Sequence, residues 1–165
     1  ILHTSALDTR YLGTLEGNSH DFMDLILDRA EDRRLEGEIK AFIEALCADL
    51  TKHDKAKLDE HWATFYADEK VQVLRPSGNA MSKITWAGML KSDGGSDDSV
   101  NEFGKLVSID SVRIFAGGIG AVATYTKRAA NDNLAVYSAT LEKKDGAWKV
   151  VFGTATGQPP TDQAA

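Results

Sequence analysis

The chain predicts an α+β fold, with helices from its first part packed on one face of a curved antiparallel sheet built by its second. Three observations carry this reading. Apolar residues recur at helical spacing as far as Tyr66. Beyond residue 104 the pattern changes to long strand-like runs. Three turn signals, AGG at 116–118, ANDN at 130–133 and KDG at 144–146, cut those runs into four lengths joined by short loops, the mark of an antiparallel meander. A sheet with apolar positions on one face must be covered, and the preceding helices are the cover.

Taken in order, residues 1–18 keep no period and read as an irregular arm that packs through Tyr11, Leu12 and Leu15. Ser19 is an N-cap with Asp21 in the first turn, and Phe22, Met23, Ile26, Leu27 and Ala30 follow at helical spacing. The charged EDRR stretch then reads as solvated, separating this helix from a second one in which Ile39, Phe42, Ile43, Leu46 and Leu50 form a stripe. Cys47 lies at the edge of that stripe, in mid-helix and away from any basic neighbour, and reads as a buried inert thiol. Asp54 caps a third pattern in which Leu58, His61, Trp62, Phe65 and Tyr66 share a face. VQVL at 71–74 alternates as a short strand that Pro76 stops.

The stretch RPSGN at 75–79 lacks the glycines and lysine of a phosphate loop and the three glycines of a dinucleotide fingerprint, so it reads as a turn. Ser82 then caps KITWAGML, with Ile84, Trp86, Met89 and Leu90 on or near the buried side. KSDGGSDDSVNEFG is a polar glycine-rich loop. The strands are KLVSIDSVRIF, IGAVATYTKR, LAVYSATLEK and AWKVVFGTAT. On the first of them alternation puts Val107, Ile109 and Phe115 on one face and Leu106, Val112 and Ile114 on the other. Two apolar faces call for a second cover, most simply another copy of the chain. The division expected is an arm and extra helix over 1–34, a domain over 35–156 and a tail over 157–165 without core-forming residues.

The 165 residues suit one domain, and 42% hydrophobic with 27% charged residues is the composition of a globule. A net charge of −6 argues against nucleic acid and anionic membranes as partners. Cys47 alone cannot build a disulfide or a cysteine zinc cluster, and no two histidines have metal-ligand spacing, so neither a metal nor another cofactor is expected. No apolar run reaches the ~20 residues of a membrane helix. A soluble protein is expected, of the cytoplasm or, since the chain opens on Ile1 rather than Met and a targeting peptide can have preceded it, of an organelle.

Helices, a short hairpin, a further helix and four long strands, with HWATFYADEKVQVLRPSGNAMSKITWAGML, VRIFAGGIGAVATYT and LEKKDGAWKVV, resemble the nuclear transport factor 2-like superfamily. That is the fold of ketosteroid isomerase-like and SnoaL-like proteins. The resemblance implies a cone-shaped barrel with a pocket between helices and sheet, and commonly a dimer through the other sheet face. Iota-class carbonic anhydrases of related fold carry a His-His-Ser-Ser run on the last strand, where this chain has VFGTATG.

The resemblance directs attention to residues that can line such a pocket. Asp110, an acid inside a long strand, is a candidate base for isomerase-like chemistry, or else a solvated strand residue. His61 is a candidate for activating water, or else a surface histidine. Tyr66, Tyr125 and Tyr137 can donate hydrogen bonds from the wall, Trp62 and Trp86 can pack there, Thr154 can bind a polar group, and Arg75 can hold a carboxylate or phosphate at the mouth. Three functions remain open. The first is a small-molecule-binding protein with an apolar pocket for a hydrophobic or amphipathic ligand, lipid-like or polycyclic. The second is a cofactor-free isomerase, cyclase or hydrolase. The third is a dimeric protein-interaction module with a filled cone.

Overall fold

A computed structural model describes residues 19–48, 55–75, 77–86, 104–128 and 134–157. The arm at 1–18, Leu50, Asp54, Met89, Leu90, the 91–104 loop up to Gly104 and the tail beyond 157 lie outside the described residues. The chain divides into two compact units, Ile1–Arg34 and Leu35–Ala165.

Helix α1 runs unbroken through Ser19–Leu46. The separate helices expected on either side of EDRR are therefore one. Arginine, glutamate and aspartate interrupt an apolar stripe but do not break a helix, and no proline intervenes. Within the first unit, Arg34 holds Glu31 one turn back and Leu27 is exposed. From Leu35 onward a buried stripe appears: Leu35, Ile39, Ile43 and Leu46, with Cys47 just past the helix end.

Helix α2, Lys55–Phe65, buries Leu58 and Trp62. The Lys149 ammonium donates to the carbonyls of Ala63 and Thr64 at 2.9 and 2.6 Å, satisfying acceptors that the last helical turn leaves open. Strands β1, Gln72–Leu74, and β2, Ala80–Met81, make a small hairpin. Its turn closes through the Arg75 N–H to the Asn79 carbonyl at 3.1 Å and the Gly78 N–H to the Arg75 carbonyl at 2.8 Å. Gly78 sits at φ 78°, a conformation that a Cβ disfavours. Residues 83–86 are helical, with the Trp86 N–H donating to the Ser82 carbonyl at 2.8 Å. Ile84, expected towards the buried side, is exposed.

The long strands are β3, Lys105–Phe115, β4, Gly120–Arg128, β5, Leu134–Lys144, and β6, Ala147–Gly157. Each falls within a residue or so of the length read from the sequence. Asp145 and Gly146, both at positive φ, form the two-residue loop that returns β5 into β6. The sheet has six strands in the order β2-β1-β6-β5-β4-β3. The meander is antiparallel, and β1 joins its edge parallel to β6, with Val73 opposite Gly153.

Register shifts in β3, between Leu106 and Ser108 and between Ile109 and Ser111, leave Val107 and Asp110 as the extra residues. Each bulge reverses the alternation. Ile109 therefore joins Leu106, Val112 and Ile114 against the core rather than siding with Val107 and Phe115. The core forms where the α1 stripe, Trp62 and Val71 meet the inner sheet residues Ala121, Ala123, Ala139, Leu141, Trp148 and Val150. Three alanines in that layer let the helix lie close to the sheet. The Glu38 carboxylate fixes the contact by accepting from Lys143 Nζ at 3.0 Å and Trp148 Nε1 at 3.2 Å.

Candidate functional site

Where the inner sheet face runs past the alanines, larger polar-tipped residues take over. On β4 the inward positions after Ala121 and Ala123 are Tyr125 and Lys127, and on β5 the residue paired with Tyr125 is Tyr137. These rings stack, centroids 5.5 Å apart and planes within 13°. The end of α1 supplies Leu46 and Cys47, α2 supplies His61, and Tyr66 follows it on an isolated bridge to Val150. Val73, Met81 and Trp86 come from the hairpin region, and Gly153 on β6 lets the Val73 side chain pack close over it. Together they line a cavity of about 140 Å³ that opens to solvent on one side. Aromatic contacts brace it. Trp62 stacks on Tyr66 at 4.1 Å and meets Trp86 edge-on at 5.4 Å.

The structure brings six of the candidate residues to this cavity: His61, Tyr66, Trp86, Tyr125, Tyr137 and Thr154. Trp62 is buried one layer behind, its indole N–H donating to the Asp68 carbonyl at 3.0 Å. Arg75 closes the hairpin turn and is not among the lining residues. Asp110 stands apart. It is an exposed bulge residue whose carboxylate accepts from the Ser108 hydroxyl at 2.6 Å and the Thr126 hydroxyl at 2.8 Å. The register puts Thr126 on the face opposite Tyr125, so Asp110 and His61 do not meet. Thr154 shares its hydroxyl with Ser138 at 2.8 Å, which leaves it less available to a ligand.

Eight lining residues are not among the binding groups expected from sequence, and two of these, Cys47 and Lys127, carry titratable side chains. Cys47 was read as core, and burial does push its thiol up, so it stays protonated. Lys127 stands next to last in the run TYTKR. The legible signal was its parity, since Ala121, Ala123, Tyr125 and Lys127 share one face of β4.

The electrostatics follow from burial. Desolvation pushes the Tyr66, Tyr125 and Tyr137 hydroxyls up, so they remain neutral. It pulls His61 down to about 4, helped by the Lys127 charge, so the imidazole is neutral near pH 7. It also lowers Lys127. No described lining residue is acidic. Among the described residues no cluster of His, Cys, Asp and Glu could hold a metal ion, and no helix is long and apolar enough to cross a membrane.

A family model described as "Protein of unknown function (DUF3804)" matches residues 35–162. No curated protein matches the chain. Among solved structures, an NTF2-like protein of unknown function from Silicibacter pomeroyi DSS-3 is 16% identical, with 77% of this chain and 98% of that one covered at a TM-score of 0.53. A second, from Prochlorococcus sp. NATL2A, is 18% identical over 76% and 94% at 0.52. An NTF2-like protein with a cystatin-like fold from Novosphingobium aromaticivorans is 12% identical over 85% and 90% at 0.54. At these identities the likeness establishes the fold, a nuclear transport factor 2-like cone with an open sheet.

Proposed function

The chain belongs to the DUF3804 family and has the nuclear transport factor 2-like fold, and from that premise we propose that its cavity binds one compact apolar or amphipathic molecule. The observation that carries this is the space itself, about 140 Å³ walled by Tyr66, Trp86, Tyr125 and Tyr137. An apolar protein cavity of about 150 Å³ is enough for benzene. The favoured ligand is therefore ring-sized, and a lipid-like or polycyclic one would extend well outside. A few polar tips on apolar walls are what small-molecule sites commonly present.

Binding is favoured over catalysis because isomerase-like chemistry needs a carboxylate base in the pocket, and the described lining offers none. His61, neutral and unbonded to any described acid, is the residue that keeps an enzymatic role open. The reading includes a homodimer through the opposite sheet face, where Phe115 and Phe152 are exposed.

Ligand-observed NMR with benzene, phenol and indole tests the binding reading. Saturation transfer to one or more probes is expected with the wild type, and Val73→Phe, which fills the space from β1, should abolish it while leaving the circular dichroism spectrum intact. No transfer to any probe, or equal transfer in the folded variant, would sink the reading.

A further inference from the structure

Lys127 lies in the cavity wall with Tyr125 two residues before it on the same face, and the register sets Leu106 on one side and Ala135 on the other. Its ammonium sits 5.4 Å from the centroid of the Tyr137 ring. No carboxylate pairs with it among the described residues, although Lys83 and Lys143 each hold a glutamate. The other described lining residues are neutral near pH 7, and none is acidic. A cation withdrawn from water is costly unless an opposite charge or good hydrogen bonds compensate. One aromatic face does so only in part.

We propose that the cavity is a receptor for a small monocarboxylate, whose ring fills the aromatic space and whose anion pairs with Lys127. This rests on the binding reading above and names its ligand chemistry. One cation matches one negative charge. A phosphate dianion would want the several convergent donors of an arginine fork or a backbone nest, which this wall lacks. The tyrosine hydroxyls, held neutral by their surroundings, can donate to the second carboxylate oxygen. The depressed basicity of Lys127 fits the same picture, because its charge is disfavoured in the free protein and favoured once an anion arrives.

The test is calorimetric titration with benzoate and with benzamide, its neutral counterpart of nearly equal size. Benzoate is expected to bind at least tenfold more tightly to the wild type. Lys127→Met should erase that preference and leave benzamide affinity within about twofold, with Lys127→Gln as a second variant if Met unfolds the chain. Equal affinities for the two probes, or an unchanged preference in a folded Lys127 variant, would overturn the carboxylate assignment. If benzene or indole binds and benzoate does not, the assignment falls while the binding reading stands. If no probe binds, charged or neutral, both fall.

Discussion

His61 packs against the Phe65 ring at 4.5 Å and lies near Tyr66 at 6.4 Å. Burial holds its pKa at about 4, against 6.5 for a solvated histidine. The folded state therefore refuses a proton that the unfolded state accepts between those values. Stability should be untouched above pH 6.5 and should fall as pH drops from 6.5 towards 4. Urea unfolding at pH 7.5 and 4.5 checks this. His61→Leu should lose less stability between the two pH values than the wild type, by on the order of 1 kcal/mol after discounting for the exposed part of the ring. Equal losses would show that the imidazole is not the source. The α1 stripe gives a second contrast. Ile39 is 0% exposed and Ile84 is 77% exposed. Ile39→Ala should cost about 2–5 kcal/mol in urea, and Ile84→Ala no more than about 0.5 kcal/mol. Comparable costs would contradict the burial pattern.

Among the elements, the strands of the meander were readable because period-two alternation and turn chemistry agree. Asp145-Gly146 is both a turn signal and a positive-φ pair, and it sets the register of β5 on β6 from the turn as far as Leu141 opposite Val150. The α1 helix was harder to read. Its apolar stripe lapses across EDRR, and charged helix formers look the same in a helix as in a solvated link. Two further features left no mark on the sequence. A three-residue strand such as β1 carries too few positions to show which partner it takes, so its parallel pairing with β6 depends on tertiary context. The bulges at Val107 and Asp110 each reverse the inward set, and parity counted from either end of β3 misplaces a residue. The same sensitivity governs the candidate site. Residue type points to the tyrosines and away from Lys127, since a lysine near a strand end normally faces water.

For the molecule as a whole, the outer face of the sheet is the surface with most to reveal. Phe115 and Phe152 are 47% and 38% exposed there. The Phe115 ring occupies the place a Cβ on Gly120 would take, 2.3 Å away, so it is laid flat along the sheet. Sedimentation at micromolar concentration should give a dimer for the wild type and a monomer for Phe152→Asp, a charge that a closed apolar interface does not accept. A wild-type monomer would refute the dimer. The parallel pairing of β1 with β6 has a consequence in time. Val73 and Gly153 stand side by side in the finished cavity wall, yet strands β2 to β5 all lie between them along the chain. On a ribosome, β1 and β2 emerge first and must wait for β6 before they have a sheet to join, holding an unpaired edge throughout. Loop closure of that span makes this contact entropically expensive and late. The wall of the cavity is therefore complete only once β6 has been made, since Gly153 and Thr154 of that strand line it.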